Sequence, residues 1–279
     1  MKIIPTWLRP KKHKYAIDAA LLGDERNCAW SNLGLWHQDH LSYPQACEAL
    51  ARALADSVNL NSKDKVLDLG CGQGASLILW KENYAVEHLE AVELQEKYFL
   101  HNQKFLPAVD NIHHGSFLNL NQLSFKFKFD VVLCIDAAYH SDVNLFVSSA
   151  SSVLNSKGRL AFHYLILNSK YDELSSLQKM KLRLLLKAAD VNLNHLKTRQ
   201  QLNERMRVQH FENVEIQNLN ESVFNGFSKY IKSALFKERI GKIPHHFLDL
   251  KKIQLTAKLC AQLYADGIIE YVQISAKKK

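Results

Sequence analysis

Apolar positions follow two spacings along the chain, one typical of helices and one typical of buried strands. Between residues 43 and 58 they recur every four positions, which predicts an amphipathic helix. Beyond it, short apolar runs alternate with longer helical stretches, which indicates a doubly wound α/β sheet. Strands are predicted at 65–69, 88–93, 110–114, 129–135, 158–166, 212–218 and 268–275, with further helices near 75–83, 95–106, 142–154 and 198–210.

A glycine-rich turn follows the first predicted strand. The strand ends before Gly70, and Gly72 and Gly74 precede a predicted helix that begins at Ala75. Glycines let the backbone turn sharply and let a ligand lie against bare amide groups at a helix N-terminus. Strand, turn and helix together predict the first half of a nucleotide-binding unit.

The turn by itself fits two kinds of nucleotide cofactor. Gly70, Gly72 and Ala75 also match the GxGxxG/A pattern of dinucleotide-binding proteins. Glu93, near the end of the next strand, suits either cofactor, because a carboxylate can accept two hydrogen bonds from a ribose diol. The choice between the two cofactors depends on Asp68, two residues before the first glycine, and on the motifs downstream.

Taken in order, these motifs resemble those of class I S-adenosylmethionine-dependent methyltransferases. The matching segments are 66–74 (VLDLGCGQG), Glu93, 129–140 (FDVVLCIDAAYH) and 153–160 (VLNSKGRL), and the resemblance covers roughly residues 27–275. It implies a Rossmann-like fold with a seven-stranded, mostly parallel sheet whose last strand is antiparallel. It also implies S-adenosyl-L-methionine as cofactor and S-adenosyl-L-homocysteine as product. The implied cofactor residues are Asp68, Gly70, Cys71, Gly72, Gly74, Glu93, Leu94, Ser116, Phe117 and Ile135.

Two further positions refine the expected cofactor site. Segment 30–36 (WSNLGLW) resembles an Asn-x-Gly-x-Trp element of methyltransferases that act on sugars, polyketides, tocopherols and related small molecules. There it closes over cofactor and substrate, which adds Trp36 to the site; a tryptophan that only holds an N-terminal cap is the alternative. Ser116 stands where related enzymes commonly place an aspartate for the adenine amine, and its hydroxyl is a weaker acceptor.

His140 is the predicted general base. It ends the loop after the fourth strand, which faces cofactor sulfur and acceptor, and imidazole titrates near neutral pH. A histidine that only shapes the pocket is the alternative. Tyr139 and Tyr164 are further candidates, although related enzymes more often carry an acidic residue near the position of Tyr164. His163 should point away from Tyr164, because side chains alternate along a strand, and we expect a satisfied buried histidine there.

Two segments exceed what a minimal methyltransferase fold needs, one near 169–197 and the other near 221–266. Both carry apolar residues at helical spacing. We predict that they form a helical cap with an apolar lining above the substrate pocket, which favours a small, apolar acceptor. In this interpretation a basic N-terminal arm, 1–26, precedes one methyltransferase domain, 27–279.

Composition and charge narrow the class of protein. The net charge is +8, from 36 Lys and Arg against 28 Asp and Glu, and much of the excess lies at the two ends, as in solvated tails. There is no run of about 18 apolar residues, and the N-terminus lacks the apolar core of a signal peptide. The five cysteines have no paired spacing. These features predict a cytoplasmic enzyme with reduced thiols.

Other functions are tested by their own signatures. Nucleic-acid base amino-methyltransferases usually carry two prolines where this chain has Ala137 and Ala138. A cytosine-C5 methyltransferase needs a cysteine nucleophile in that loop, whereas Cys134 lies inside the predicted strand. A nucleic-acid substrate is therefore not expected. His113 and His114 lack the spacing of a metal site, and no metal is expected. Two alternatives stay open: a membrane-associated lipid or quinone methyltransferase whose residues 1–14 rest on anionic lipid, and a non-catalytic S-adenosylmethionine-binding protein.

Overall fold

The computed structural model describes residues 18–37, 42–243 and 247–279, in which helices pack around one eight-stranded sheet. The strands are β1 Lys65–Leu69, β2 His88–Glu93, β3 Asn111–His114, β4 Phe129–Cys134, β5 Leu154–Leu167, β6 Lys197–Thr198, β7 Phe211–Asn218 and β8 Ile269–Lys278. The helices are α1 Ala19–Leu22, α2 Tyr43–Asp56, α3 Ala75–Glu82, α4 Glu96–Phe105, α5 Val143–Val153, α6 Ser176–Ala188, α7 Arg199–Val208, α8 Gly226–Lys232, α9 Ala234–Lys242 and α10 Phe247–Asp266.

The order of the strands brings the carboxyl ends of β1, β2 and β4 side by side. Across the sheet the order is β3-β2-β1-β4-β5-β8-β7, and β6 pairs with the end of β5. In β1, Asp68 lies opposite Ala91 of β2 on one side and Leu133 of β4 on the other, both in parallel register. The order in which successive strands join the sheet reverses between β1 and β4, and ligands bind at such a point in open α/β sheets.

The predicted fold class is confirmed. All seven predicted strands are present, and the last one, β8, runs antiparallel to both β5 and β7. The eighth strand, β6, was not predicted, because two residues are too short to show a periodicity. β5 begins at Leu154 rather than at residue 158, and Lys157 within it has a φ of +64°. The first residues of β5 are mostly polar, which is why the sequence pattern did not predict them as part of a buried strand.

The core lies on both sides of β1 and β4, whose apolar residues are fully buried. On α2, Leu50 and Leu54 lie on the buried face at the predicted helical spacing. Burying such a side chain contributes on the order of 2 kcal/mol. All five cysteines are buried and unpaired, which agrees with the prediction of free thiols.

Part of the predicted N-terminal arm packs against the domain. In α1, Leu22 is fully buried, and its carbonyl accepts a hydrogen bond of 2.5 Å from the hydroxyl of Tyr230 in α8. Residues 1–17, which include the predicted membrane-contacting segment, lie outside the described residues. The domain boundary at residue 26 therefore stays a prediction.

The two predicted insertions consist mainly of helices. The first contains α6, which begins with a capping box made by Ser175 and Gln178. The second contains a π-helical turn, Glu221–Asn225, followed by α8, α9 and α10. We call α6, α8, α9 and α10 the cap helices. No helix within the described residues is long and apolar enough to span a lipid bilayer.

Candidate active site

The glycine-rich turn after β1 depends on backbone conformations that favour glycine. Gly70, Gly72 and Gly74 have φ angles of +73°, +55° and +87°. The turn is tightly packed from behind: a Cβ on Gly74 would lie 2.4 Å from Cδ1 of Leu106 and 2.8 Å from Oδ1 of Asn102. Asn102 also donates from Nδ2 to the carbonyl of Gly72 at 2.8 Å. The turn is thus held in one shape by residues at the end of α4.

Glu93 at the end of β2 is oriented by the same turn. The Gly72 N–H donates to Oε2 of Glu93 at 2.9 Å, and the Gln95 N–H donates to Oε1 at 2.7 Å. The residue is 4% exposed. A carboxylate can accept several hydrogen bonds, and the hydroxyls of a ligand are suitable donors to it.

A cavity of about 290 Å³ opens at this edge of the sheet. The structure brings nine of the predicted cofactor residues to its wall: Asp68, Gly70, Cys71, Gly72, Glu93, Leu94, Ser116, Phe117 and Ile135. We call it the first cavity. Gly74 is not part of the wall, but it begins α3 as the N-cap and shapes the turn.

Asp68 lies buried at the inner end of the first cavity. Its Oδ2 accepts a hydrogen bond of 2.7 Å from Nε1 of Trp80, and Ser76 is a second partner. Burial raises the pKa of the Asp68 carboxyl to about 6, although both hydrogen bonds act in the opposite direction. This group therefore changes charge just below neutral pH.

Ser116 and Phe117 lie together at another part of the wall. The Ser116 hydroxyl accepts a hydrogen bond from the Leu118 N–H at 3.2 Å, as the cap of a short 3₁₀ helix, Phe117–Gln122. The Phe117 ring packs edge-to-face on Phe146, with ring centroids 5.5 Å apart. Both residues are thus held by local contacts, with Phe117 offering an apolar surface.

Segment 29–36 crosses over the site, but of its two tryptophans only Trp30 lines the first cavity. Trp30, Ser31 and Asn32 line the first cavity. Trp36 lies away from it, stacked on Tyr230 with ring centroids 4.5 Å apart, and its Nε1 donates to the carbonyl of Leu33 at 2.9 Å. The placement of Trp36 in the cofactor site is corrected accordingly: this ring fastens the segment to α8.

A second cavity, of about 330 Å³, lies beside two of the cap helices, α6 and α10. Its wall is mostly apolar, with Leu185, Leu186 and Val191 from α6 and the loop after it. Helix α10 contributes Leu259, Cys260 and Leu263, and the sheet contributes Leu165 and Tyr271. Phe224 of the π-helical turn and Tyr139 of the loop after β4 also line it. Both predicted insertions therefore contribute to this wall.

The two cavities share three residues, Ser31, Asp136 and His140. Asp136 follows β4 and has a φ of +51°, an uncommon conformation for a residue other than glycine. Its Oδ2 accepts from the Leu33 N–H at 2.9 Å, and its Oδ1 accepts from the Tyr271 hydroxyl at 2.8 Å. The carboxylate thus ties segment 29–36 to β8 at the point where the cavities meet.

Burial raises the pKa of the Asp136 carboxyl to about 6, while hydrogen bonds from Tyr271 and Tyr139 favour its charged form. The pKa values of both tyrosines lie well above the usual range, because both are buried and Asp136 is close. They are hydrogen-bond donors at neutral pH. Sequence reasoning missed Asp136 as a site residue, although an acidic side chain at a strand end was a visible signal. Tyr271 gave no signal.

His140 ends a short 3₁₀ helix, Ala138–His140, that covers the end of β4. Its Nδ1 lies 3.2 Å from the carbonyl oxygen of Asp190, in the loop after α6. When Nδ1 carries the proton and donates to that carbonyl, Nε2 is the basic nitrogen. The Tyr139 ring packs beside that of His140 in a tilted arrangement, with ring centroids 4.5 Å apart, and Tyr139 lines the second cavity.

Tyr164 lies outside both cavities. It is fully buried in β5, and its hydroxyl donates to the carbonyl of Ser141 at 2.8 Å. The structure therefore corrects its place among the reacting groups: Tyr164 supports the loop that carries His140. His163 points the other way, and its Nδ1 accepts from the Asp136 N–H at 3.3 Å. Burial lowers the pKa of His163 to about 3, so this ring is neutral.

Within the described ranges, no group of three or more His, Cys, Asp or Glu side chains could hold a metal ion. His113 instead lies 2.5 Å from a carboxylate oxygen of Glu90, between β3 and β2.

Comparison with known proteins identifies the family. The family model described as Methyltransferase domain matches residues 35–216, more than half of the 279 residues. The chain therefore belongs to this methyltransferase domain family. Among curated proteins, no sequence matches this chain.

Solved structures share the fold at low sequence identity. A geranyl diphosphate C-methyltransferase from Streptomyces coelicolor A3(2), in complex with Mg²⁺, geranyl diphosphate and S-adenosyl-L-homocysteine, has a TM-score of 0.66 at 15% identity, covering 95% of this chain and 98% of that chain. A cyclopropane synthase from Mycobacterium tuberculosis has a TM-score of 0.71 at 17% identity, covering 95% and 96%. A mycolic acid cyclopropane synthase complexed with SAH and CTAB has a TM-score of 0.72 at 16% identity, covering 95% of each chain.

The packing behind the glycine turn predicts a position-specific cost. Replacing Gly74 by alanine should lower the free energy of unfolding by more than about 1 kcal/mol, because the new Cβ meets Leu106 and φ is positive. Gly241→Ala, in the exposed end of α9 with nothing within 4 Å, is the matched control and should change stability by less than about 1 kcal/mol. Urea denaturation of the two variants measures the difference. Equal stability would contradict the packing described.

Proposed function

We propose that this methyltransferase binds S-adenosyl-L-methionine in the first cavity and transfers its methyl group to a small acceptor in the second. The observation that carries the proposal is the shared wall of the two cavities at Ser31, Asp136 and His140. Methyl transfer is an in-line displacement at the methyl carbon bound to the cofactor sulfur. The methyl donor and the acceptor must therefore be aligned with each other and shielded from water. A junction between two cavities provides that arrangement.

The residues of the first cavity fit this cofactor. The Glu93 carboxylate lines the cavity and is the chemical group that accepts hydrogen bonds from ribose hydroxyls, and the ionised Asp68 attracts the cationic methionine end. The bare Cα of Gly72 leaves space that a Cβ would fill at 3.2 Å from the Ser31 hydroxyl. Ser116 and Phe117 form the surface for adenine. Two structural neighbours with the same fold were solved in complex with S-adenosyl-L-homocysteine (SAH), the product of this cofactor, which supports the proposal.

The chemistry that the cofactor supplies when bound is an electrophilic methyl group with a good leaving thioether. The protein has the tasks of alignment and proton removal. Asp136 positions segment 29–36 over the junction through the Leu33 N–H. A buried carboxylate at this point also favours binding of a positively charged methyl donor, since opposite charges attract strongly where water is excluded.

The wall of the second cavity favours an apolar acceptor. Leucine, alanine, valine and phenylalanine are eleven of its nineteen lining residues, and the Tyr271 hydroxyl is already bonded to Asp136. An acceptor with an apolar body would place its reactive atom at the polar junction, because the rest of the wall offers few hydrogen bonds. A protein that only bound the cofactor would have no need of this second cavity.

His140 is the proposed base for an acceptor that carries a proton to be removed. It borders both cavities, and the Asp190 carbonyl favours the tautomer whose basic nitrogen is Nε2. Tyr139 is less suited to this role, because burial raises its pKa well above the usual value and keeps it protonated. Its proposed role is to donate a hydrogen bond to Asp136.

The His140→Ala variant tests the reaction and the base together. Wild-type protein is incubated with a small-molecule extract and methyl-labelled S-adenosyl-L-methionine, and mass spectrometry identifies the labelled product. With that product's precursor, His140→Ala should lose at least about 100-fold in turnover while its affinity for the cofactor changes less than about threefold. His88→Ala, at the amino end of the sheet, is the matched control and should retain turnover. Wild-type-like turnover of His140→Ala would refute the base role.

Asp68 predicts a pH dependence of cofactor affinity. Its pKa of about 6 means that the carboxyl is neutral at lower pH and charged at higher pH. The affinity for S-adenosyl-L-methionine should therefore fall, by up to about tenfold, as pH drops from about 7 to about 5. Asp68→Asn should bind more weakly at pH 7 and lose most of this dependence, although Asp136 still titrates. Isothermal titration calorimetry across this range measures both. An unchanged pH profile in the variant would contradict the assignment.

A further inference from the structure

We propose that the outer face of the cap helices α6 and α10 docks on an anionic lipid bilayer. On α6, Leu177, Met180 and Leu184 are 56%, 52% and 61% exposed. Their spacing of three and four residues places them on one side of the helix, opposite the buried Leu182 and Leu186. The helix therefore has two apolar faces, one against the protein and one directed outward.

The charges of α6 match an anionic surface. The helix contains Lys179, Lys181, Arg183 and Lys187 and no Asp or Glu. At 100° per residue, Lys181 lies on one flank of the outward apolar stripe, and Arg183 and Lys187 lie on the other. Within the described part of the chain, neither Lys181 nor Lys187 forms an ion pair. An apolar stripe between basic flanks is the pattern of helices that lie in the headgroup region of a membrane.

Helix α10 extends the same kind of surface to the second cavity. Leu248 and Leu255 are 70% and 61% exposed and lie seven residues apart, hence on the same side of the helix, with the exposed Lys251 between them. Leu255 also lines the second cavity, as does the exposed Ala188 at the end of α6. The outward apolar surface thus reaches the wall of the cavity that is proposed to hold the acceptor.

This continuity suggests a route for an apolar acceptor, from the bilayer into the second cavity along apolar side chains. The route rests on the proposed function, whereas the docking surface stands on the two helices alone. A second copy of the chain fits the surface less well. Symmetric pairing through α6 would bring Lys181, Arg183 and Lys187 of two copies together without a carboxylate from that helix to offset them.

Vesicle flotation of the full-length chain, without cofactor or acceptor, tests the docking surface. We expect binding to phosphatidylcholine vesicles that contain about one third phosphatidylglycerol, and weaker binding at high salt. Leu184→Glu should reduce partitioning at least about tenfold, because it replaces an exposed apolar side chain that would enter the bilayer with a negative charge. Leu145→Glu, on α5 at 59% exposure, makes the same chemical change elsewhere and should bind like wild type.

Three outcomes would overturn the proposal: no wild-type binding, undiminished binding of Leu184→Glu, or equal loss in both variants. Sedimentation velocity of the same samples reports on a second copy, and a dimer that depends on Leu184 without vesicle binding would assign the face to self-association. Circular dichroism confirms that the variants fold. Cofactor affinity is measured in parallel, so that a failure of docking with intact cofactor binding is distinguished from a failure of the proposed function.

Discussion

The site depends on one buried carboxylate, Asp136, which must be supplied with donors. A charged group removed from water is costly unless hydrogen bonds replace its hydration. Its donors come from three distant parts of the chain: the Leu33 N–H before α2, the Tyr139 hydroxyl in the loop after β4, and the Tyr271 hydroxyl in β8. Satisfying this carboxylate therefore brings three parts of the protein to one point: segment 29–36 over the first cavity, the loop with His140, and the antiparallel strand β8. The two cavities meet there.

A second set of constraints comes from the parallel sheet. The carboxyl ends of β1 and β2 lie side by side, so Asp68 and Glu93 both face the first cavity. The glycine turn passes between them and donates the Gly72 N–H to Glu93. The tight contact of Gly74 with Leu106 and Asn102 keeps that turn in place. In the proposed complex, Asp68 would thus lie beside the cationic amine of the cofactor's methionine end, and Glu93 beside its ribose hydroxyls.

Local patterns predicted most of the fold, and the family resemblance named nine of the residues that line the first cavity. Strand periodicity, the glycine turn and the acidic residue after β2 are features of adjacent residues, and the sheet with its antiparallel last strand is confirmed. Contacts between residues that are far apart in the sequence could not be predicted from it. Trp36 stacks on Tyr230 and leaves the site, Tyr164 turns its hydroxyl to Ser141, and Tyr271 reaches Asp136 from 135 residues away. No spacing in the sequence encodes these contacts, because packing of whole elements determines them.

A crystal structure of the complex with S-adenosyl-L-homocysteine tests the central claim most directly. The account predicts ribose hydroxyls on the carboxylate of Glu93, the amino-acid end beside Asp68, and the sulfur facing the junction formed by Ser31, Asp136 and His140. The second cavity should open on the methyl side of that sulfur. A ligand bound elsewhere, a sulfur directed away from the junction, or no binding at saturating concentration would contradict it.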